Sequence, residues 1–415
     1  MDRKNYIAVI DMRAFYSYVE CVDRGLDPYK TPLVVADKTR GTNTIVLSVT
    51  PYLKSKGVPS RLRIKELPSG YNYVYAVPRM ARYLERSSEI FSIILDFVSE
   101  EDLHIYSVDE GFVNLTPYLK LYNKTPYELV KTIKETIYKK TGLECTAGIS
   151  ENMFLAKVAL DRFAKSTKEG IAVLKKSEVQ EKLWPITPLS KIWGIGVNLE
   201  RRLNALGIYT VGDLAQSNRT YIRHHFGIIG DDLVDHANGI DNTDMREKYV
   251  PKETSLNSGQ VLFKDYSVED AKLIIKELCD DTMVRLREQE QVTGCVHLYV
   301  GYSKEGGFAA QMSLLKPTDD TDIVYDALLT IYNKHVEKKL IRRLSVSVSK
   351  LKDAKGYQQI DLFQSPEEED EKRRLQHTLD AIQTRYGKNS VLRTSALLED
   401  STIKERHTFI GGHKR

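Results

Sequence analysis

The sequence lacks long apolar runs, paired cysteines and a strong net charge. Its 415 residues are 41% hydrophobic and 28% charged. No apolar stretch approaches the roughly 18 residues of a membrane span, so an integral membrane protein is not expected. The four cysteines show neither metal-ligand nor disulfide spacing, which argues against zinc sites and a disulfide framework and fits a reducing, cytoplasmic location. The net charge of +4 says little about partners, so local motifs must identify them.

The first half of the chain predicts an α+β fold. Strand and helix patterns interleave without a strict βαβ repeat, and ferredoxin-like packing fits them best. The amino terminus runs directly into a strand, without a signal-peptide pattern. The predicted elements are strands at 5–11, 32–37, 44–49, 103–108, 112–115 and 145–149, and helices at 14–24, at 126–140 and from a Ser150 cap to Ala164.

The second half changes in texture, which indicates a multidomain chain. Small helices are predicted from about residue 172, and a polar connector follows Asp241. A β-α-β-β-α-β unit then comprises strands at 259–263, 292–302, 308–315 and 341–349 and helices at 268–289 and 320–336. The last sixty or so residues contain the acidic run 367–371 and are predicted to be extended or partly disordered.

Three acids stand at the ends of apolar runs. Asp11 ends the run 6–10, and a predicted hairpin turn carries Asp109 and Glu110. An acid at the end of a buried strand needs a cation or a dense set of donors. Carboxylate oxygens suit magnesium, and two such ions serve displacement at phosphorus. Solvated turn acids remain the alternative for each residue taken singly.

A glycine turn in the second half predicts contact with DNA. Gly194 and Gly196 flank Ile195 within an apolar periodicity that has helix-hairpin-helix spacing. Glycines let the backbone approach a phosphate, and the amides at the start of the next helix supply donors. Such contacts do not depend on base sequence. An ordinary αα-hairpin with a glycine turn is the alternative.

A short peptide near the carboxyl terminus predicts docking to a partner. Residues 359–363 read Gln-Ile-Asp-Leu-Phe in a polar setting. Apolar anchors in such a segment usually bind another protein. The alternative is a terminal strand that packs back on the preceding domain.

The strings 11–20 and 106–112 resemble the two metal-binding motifs of the Y-family, the translesion DNA polymerases. The resemblance spans residues 5 to 350 and looks closest to the UmuC-like branch, with the UvrX-like proteins of Gram-positive bacteria and their prophages. It implies a right-handed polymerase with a ferredoxin-like palm, small fingers, a helical thumb and a β-α-β-β-α-β little finger. The implied bounds are palm 1–17 and 80–171, fingers 18–79, thumb 172–240, linker 241–250, little finger 251–351 and tail 352–415.

The resemblance also implies roles for single residues. Two Mg²⁺ ions, for which Mn²⁺ can substitute, would be held by Asp11, Asp109, Glu110 and the backbone carbonyl of Met12. Tyr16 would be the steric gate that rejects a ribonucleotide, with Phe15 near the sugar. Nucleotide binding would further involve Ser48, Lys54 and Lys165. The sequence differs from the family at two positions of the implied triphosphate site. Pro51 replaces a tyrosine that is common in relatives, and Lys54 replaces an arginine.

The implied partners are primer-template DNA, dNTP and the sliding clamp. Arg342 and Arg343 are candidate DNA contacts of the little finger, beside Gly194 and Gly196 in the thumb. Gln359, Leu362 and Phe363 resemble the bacterial clamp-binding motif, which docks on the β subunit. A UmuD-like accessory protein is left open, no membrane is implied, and a monomer is expected. No segment resembles a proofreading exonuclease, which predicts low fidelity and a part in SOS-type DNA repair.

Two other functions remain open from the residues alone. A metal-dependent nuclease with a helix-hairpin-helix would use the same acids and would cleave DNA without nucleotides. A non-catalytic protein that binds DNA and clamp would keep its binding after loss of Asp109.

Overall fold

The structure is a computed structural model that describes residues 5–247, 250–354 and 366–414. The chain divides at residues 248 and 249 into two compact units. None of the helices in the described ranges is both long and apolar enough to cross a membrane.

The first unit contains eight strands and ten α-helices within its described residues. The strands are β1 (Ile7–Met12), β2 (Leu33–Val35), β3 (Ser48–Val49), β4 (Val74–Ala76), β5 (Leu103–Ile105), β6 (Glu110–Asn114), β7 (Cys145–Ser150) and β8 (Ile171–Val173). The helices are α1 (Phe15–Asp23), α2 (Pro51–Ser55), α3 (Met80–Leu95), α4 (Leu119–Tyr122), α5 (Pro126–Thr141), α6 (Met153–Val158), α7 (Val197–Asn204), α8 (Val211–Gln216), α9 (Arg219–Phe226) and α10 (Ile228–Ala237).

Strand β1 lies at the centre of a five-stranded sheet in the order β5-β6-β1-β7-β8. It pairs antiparallel with both β6 and β7. Because successive side chains of a strand point to opposite faces, Ala8 and Ile10 join the core formed with α3 and α5, whereas Ile7 and Val9 join the core that contains α6. The apolar run is therefore buried on both faces, and only its end, at Asp11, carries a charge.

Helix α6 lies directly against strand β7. A Cβ atom on Gly148 would lie only 2.1 Å from the carbonyl oxygen of Ala156, so only glycine allows this approach. Asn152 caps the helix, because its side chain accepts a hydrogen bond from the Leu155 amide at 2.8 Å. The predicted Ser150 cap is wrong: Ser150 ends β7, and its hydroxyl donates to the Leu174 carbonyl.

A small sheet in the order β3-β2-β4 holds the segment between α1 and α3. The strand predicted at 44–49 is shorter than expected, since only Ser48 and Val49 belong to β3. The preceding residues pair elsewhere: the Val46 amide donates to the Leu62 carbonyl at 2.7 Å. The predicted hairpin turn also differs slightly, because Glu110 is the first residue of β6 and only Asp109 lies in the turn.

Part of the predicted linker is fixed to the sheet. Arg246 donates to both carboxylate oxygens of buried Asp102, at 3.0 and 3.2 Å from one guanidinium nitrogen. Asp241 accepts a hydrogen bond from the Phe154 amide at 2.9 Å. Residues 241–246 therefore pack on the first unit rather than extend from it.

The second unit has the predicted β-α-β-β-α-β order. Its elements are β9 (Leu256–Tyr266), α11 (Asp270–Glu288), β10 (Gln291–Tyr302), β11 (Gly307–Thr318), α12 (Thr321–His335) and β12 (Ile341–Asp353). The sheet order is β11-β10-β12-β9, with antiparallel pairing throughout. Residues of α11 and α12 share one apolar core with the inward side chains of the strands.

The described part of the tail is folded, so the prediction of an extended segment is wrong there. Its elements are α13 (Pro366–Tyr386), α14 (Ile403–Arg406), β13 (Phe409–Ile410) and β14 (His413–Lys414). Arg406 pairs with Glu277 of α11 at 3.3 Å, and Arg287 of α11 pairs with Asp380 at 2.6 Å. The acidic run lies at the start of α13, where negative charge favours a helix.

Candidate active site

The sheet brings the three predicted acids to one end of its central strands. Asp11 and Glu110 are directly opposite each other in the antiparallel pair of β1 and β6. The Met12 amide donates to the Asp109 carbonyl at 2.9 Å, which fixes the turn against β1. The Ser107 hydroxyl donates to the Asp109 carboxylate at 2.9 Å. Backbone pairing alone therefore places three carboxylates side by side.

Asp11 is partly buried without a cation to neutralise it. Within the described ranges, no Lys, Arg or His lies at ion-pair distance from its carboxylate. Burial, followed by the negative charge of Asp109, raises the pKa of Asp11 to about 7, although Lys165 opposes the shift. A group in this state gains free energy from a bound cation.

Glu110 is held by a lysine that the sequence reasoning did not assign. The ammonium of Lys157, on α6, lies 2.7 Å from one carboxylate oxygen of Glu110 and 3.2 Å from Asp161. Both Lys157 and Glu110 are buried. Burial raises the pKa of Glu110, and the lysine opposes that shift. The close packing of α6 at Gly148 fixes this lysine beside the acids.

The acids suit divalent metal chemically, although their side chains are not gathered around one point. In the part of the chain that the structure describes, no three His, Cys, Asp or Glu side chains form a ready metal-binding group. Asp11 fits a cation because it is partly buried and unpaired, and Asp109 lies beside it. Glu110 is paired with Lys157, so it would share its carboxylate between lysine and metal. Oxygen donors of this kind favour hard cations.

The turn after β1 places two aromatic rings next to the acids. Ala14 adopts a left-handed conformation with φ of 48°, which turns the chain from β1 into α1. The Ser17 hydroxyl donates to the Ala14 carbonyl at 2.9 Å, and the Ser48 hydroxyl donates to Ser17 at 3.0 Å. Ser48, predicted to bind nucleotide, is thus buried and holds this turn.

Phe15 and Tyr16 differ in exposure. Phe15 is 3% exposed and belongs to the core of the sheet, whereas Tyr16 is only partly buried. The Tyr16 ring packs on the ring of Tyr83, with centroids 4.7 Å apart. Burial, and then the negative charge of Asp109, raises the pKa of Tyr16, while Arg61 opposes the shift. Tyr16 is therefore the ring that borders both the acids and solvent.

Lys54 and Lys165 lie on the open side of the acids. The pKa of Lys54 is lowered, first by burial and next by the positive charge of Lys165, while Asp11 and Asp109 act in the opposite direction. The Lys54 side chain is still accessible to solvent. Neither lysine forms an ion pair within the described residues. The structure thus brings Asp11, Asp109 and both lysines into one electrostatic neighbourhood.

Three sequence models of one family cover most of this architecture. The impB/mucB/samB family matches residues 10–161, its HHH motif matches 176–208, and its C-terminal domain matches 254–362. The putative UV-damage repair protein UvrX of Bacillus subtilis is 35% identical over 99% of this chain and 98% of its own length. DNA polymerase IV 2 of the same organism is 31% identical over the full length of both chains. The chain belongs to the Y-family of DNA polymerases.

A solved structure shares the Y-family fold. It is a Y-family DNA polymerase chimera that superposes with a TM-score of 0.67, covers 83% of this chain and 98% of its own, and is 21% identical. The right-handed architecture of α+β palm, fingers, thumb and little finger is thus the fold of this chain. The bounds of its subdomains stay predictions from the sequence.

The helix-hairpin-helix of this Y-family member has the predicted geometry. Gly194 has a φ of 88°, a left-handed conformation that favours glycine, and the space around it is open. Gly196 caps the start of α7, whose first residues, Val197 and Asn198, are exposed. The flanking apolar residues Ile192 and Ile195 are buried in the thumb core. The turn therefore presents backbone donors at the surface.

The remaining predicted contacts of the Y-family chain lie in or after the second unit. Arg342 pairs with Asp265 at 3.2 Å and is half-buried, whereas Arg343 is exposed. Both open β12, as the sequence predicts. The clamp-binding residues Gln359, Leu362 and Phe363 lie outside the described residues.

Sequence reasoning missed Lys157 and Tyr83. Lys157 gives no local signal in the sequence, because its partner Glu110 is 47 positions away in the chain. Tyr83 reads as an ordinary helix-face aromatic. Only the packing of α3 against α1 reveals its contact with Tyr16.

Proposed function

We propose that this protein catalyses template-directed DNA synthesis of the translesion type. The 3′-hydroxyl oxygen of a primer attacks the α-phosphorus of a bound dNTP. The bond from that phosphorus to the bridging oxygen breaks, and pyrophosphate leaves. The observation that carries this proposal is that strand pairing brings Asp11, Asp109 and Glu110 to one end of β1 and β6. Lys54 and Lys165, which form no ion pair within the described residues, act on the same acids.

The acids would bind two magnesium ions. Asp11, Asp109, Glu110 and the carbonyl of Met12 are the oxygen donors available at this end of the sheet. When bound, the metal supplies activation of the attacking hydroxyl and stabilises charge on the leaving oxygen. The unpaired, partly buried state of Asp11 supports this assignment, because a cation would relieve both its burial and its repulsion by Asp109. Lys157 favours the charged form of the Glu110 carboxylate and holds it in place.

Lys54 and Lys165 would bind the triphosphate. Each is free of ion pairs within the described residues, so its ammonium can take a phosphate oxygen without breaking a bond. A lysine offers a point charge rather than the planar fork of arginine. The lysines therefore attract the triphosphate and screen its repulsion by the acids, while the metal and the gate fix its orientation.

Tyr16 would act as the steric gate. Its ring lies against Tyr83 and cannot retreat into the core, so an added 2′-hydroxyl would meet a fixed surface. Rejection by a clash of this kind is effective because the ring has no room to move. Phe15, fully packed in the core beneath, would support the sugar side rather than contact it broadly.

Other segments of the chain would contact the DNA backbone and the clamp. The amides at the start of α7, after Gly196, suit a backbone phosphate, and the exposed Arg343 suits another. The peptide 359–363 would dock on the sliding clamp and so compensate for weak processivity. A UmuD-like accessory protein remains a further possible partner, and damage tolerance in an SOS-type response would be the cellular role.

Primer extension tests the proposal. Purified protein with magnesium and dNTP should extend a primer, and Asp11→Ala or Asp109→Ala should lose at least about a thousandfold in rate, as expected for loss of a metal site that supplies several kcal/mol. Asp96→Ala is the matched control, because Asp96 is an exposed acid that only pairs with Lys140. Cleavage of DNA without dNTP would favour a nuclease, and an inert wild-type protein would exclude polymerase activity.

The clamp peptide is tested separately. Deletion of residues 359–363 should remove stimulation by the clamp and leave unassisted primer extension at the wild-type rate. Equal stimulation of the deleted and complete chains would exclude this peptide as the docking element.

A further inference from the structure

The ring behind the proposed gate is itself held by a buried acid. Tyr83 lies on α3 and is 0% exposed. Its ring contacts Tyr16, with centroids 4.7 Å apart, and meets Phe15 edge-on at 6.5 Å. The Tyr83 hydroxyl donates to the carboxylate of Glu20 at 2.7 Å. A chain of contacts therefore runs from Glu20 through Tyr83 to Tyr16.

Glu20 is fixed far more firmly than a single hydrogen bond requires. It is 0% exposed. Arg79 donates to its two carboxylate oxygens, at 2.9 and 3.0 Å, and Arg24 forms a second ion pair with it. Burial raises the pKa of Tyr83 to about 12, so the hydroxyl stays protonated and remains a donor at neutral pH. The donor of this bond therefore stays protonated, and its acceptor is held in place by the two arginines.

This arrangement removes the freedom of the Tyr83 ring. A buried ring that is anchored only by apolar contacts can slide or tilt when a ligand presses on its neighbour, whereas one whose hydroxyl is bonded to a fixed carboxylate cannot move without leaving a buried donor unpaired. Because Tyr16 rests on this ring, the position of Tyr16 depends on the bond between Tyr83 and Glu20.

We propose that Glu20 is a positioning residue for the steric gate. It acts through Tyr83 and sets how strictly the site rejects ribonucleotides. The inference rests on the proposed function of Tyr16. It adds a specificity determinant that lies one helical turn beyond Tyr16 on α1 and acts without touching nucleotide or metal.

A purely structural role for Glu20 makes a different prediction, and the chain offers a matched control. Asp23 lies on the same helix and accepts bonds from Arg79, Arg82 and Arg86. Within the described residues it forms no hydrogen bond with Tyr83. Loss of Asp23 should therefore weaken the same joint between α1 and α3 without releasing the ring.

The test compares kcat/KM for a dNTP with that for the matching ribonucleotide. Glu20→Gln and Tyr83→Phe should each lower this ratio by about five- to twentyfold, mainly through a lower KM for the ribonucleotide, because a ring that can shift opens space for the 2′-hydroxyl. The kcat for the dNTP should change little. Tyr83→Phe keeps the ring and its packing, so it answers the question even if Glu20→Gln folds poorly.

The controls separate this inference from the function on which it rests. Asp23→Asn should keep the wild-type ratio, and Tyr16→Ala should lose most of it. If Tyr16→Ala loses discrimination while Glu20→Gln and Tyr83→Phe retain it, the positioning role is excluded and the gate stands. If Tyr16→Ala also retains discrimination, the gate itself is excluded, and the positioning role falls with it. If Asp23→Asn lowers the kcat/KM ratio as much as Glu20→Gln does, the proposal is also overturned. An equal effect would mean that weaker packing between α1 and α3 in general, rather than release of the Tyr83 ring, lowers discrimination.

Discussion

Asp11 and Glu20 are two acids of one strand-helix unit that the protein treats in opposite ways. Glu20 is completely buried and receives donors from Arg79, Arg24 and Tyr83. Asp11 is partly buried and, in the part of the chain that the structure describes, has no cation at ion-pair distance. The difference teaches that burial alone does not identify a functional acid. An acid that is buried with its donors supports the fold, whereas one that is buried without them is kept ready for a ligand.

Replacing Glu20 and Asp11 by their amides should give the largest difference in the free energy of unfolding. Glu20→Gln removes the charge of a fully buried carboxylate that holds Arg79, Arg24 and Tyr83, and should lower the free energy of unfolding by about 3 to 5 kcal/mol. Asp11→Asn removes an unneutralised charge and should leave the metal-free protein equally or more stable. Chemical denaturation in the presence of a chelator measures both changes. Equal destabilisation by the two variants would refute the contrast.

The second unit also contains a buried acid that several donors hold, and removing its arginine partner should lower the free energy of unfolding somewhat less than Glu20→Gln does. Glu277 is buried and accepts from Thr402, Ser401 and Arg406. Arg406→Ala should destabilise this unit by about 3 kcal/mol, because it leaves a buried carboxylate short of a cation. Lys264→Ala is the control, since its pair with Asp400 is at the surface. Thermal unfolding of both variants checks the difference. If the tail contributes nothing to stability, Arg406→Ala should have the same midpoint temperature of unfolding as the wild type.

The pH dependence of stability should distinguish Asp11 further. Its pKa is about 7 in the fold against an ordinary 3.8, so between these values the folded state holds a proton that the unfolded state has lost. Asp11 thus favours folding most at low pH, and this contribution falls as pH rises toward about 7. In chelator, the melting temperature of Asp11→Asn minus that of the wild type should rise from about pH 5 to about pH 8 and then level off. A difference independent of pH would exclude a raised pKa.

Replacing a lysine near Asp11 should have the smallest of these effects, and it should act on the KM for dNTP. Lys54→Ala should raise the KM for dNTP by about tenfold, since a charge-assisted contact is worth roughly 1.5 to 3 kcal/mol and part of it is screened. Lys56→Ala is the control: Lys56 lies two positions further on, near the Tyr52 ring. Steady-state kinetics at fixed magnesium measures both. An unchanged KM would remove Lys54 from the triphosphate site.

Much of the fold could be read from periodicity. The β-α-β-β-α-β order of the second unit follows from apolar alternation, because each of its strands has one face in the core. The tail could not be read in this way. Its stability depends on bonds such as Arg406 to Glu277, whose partners are separated by 129 positions, and its composition resembles that of a disordered segment.

The same distinction between local signals and long-range contacts applies to the candidate site. Asp11, Asp109 and Tyr16 could be located from local strings, since each stands next to a predicted strand end. Lys157 and Tyr83 could not, because their importance lies in contacts with Glu110 and Tyr16 that cross between elements. The Ser150 cap failed for a related reason: Ser150 is taken up by the pairing of β7 with β1, and Asn152 caps the helix instead.

The sequence by itself determined which residues are chemically able to act: acids at strand ends, an aromatic after the first of them, lysines nearby and a glycine turn. These signals are local, so the chain displays them without folding. The tertiary structure decided which acids receive partners and which do not. Pairing Glu20 with Arg79 depends on how α3 packs on α1, and bringing Asp11 beside Asp109 and Glu110 depends on how β6 pairs with β1. The free energy of these contacts exists only between segments that are distant in the chain.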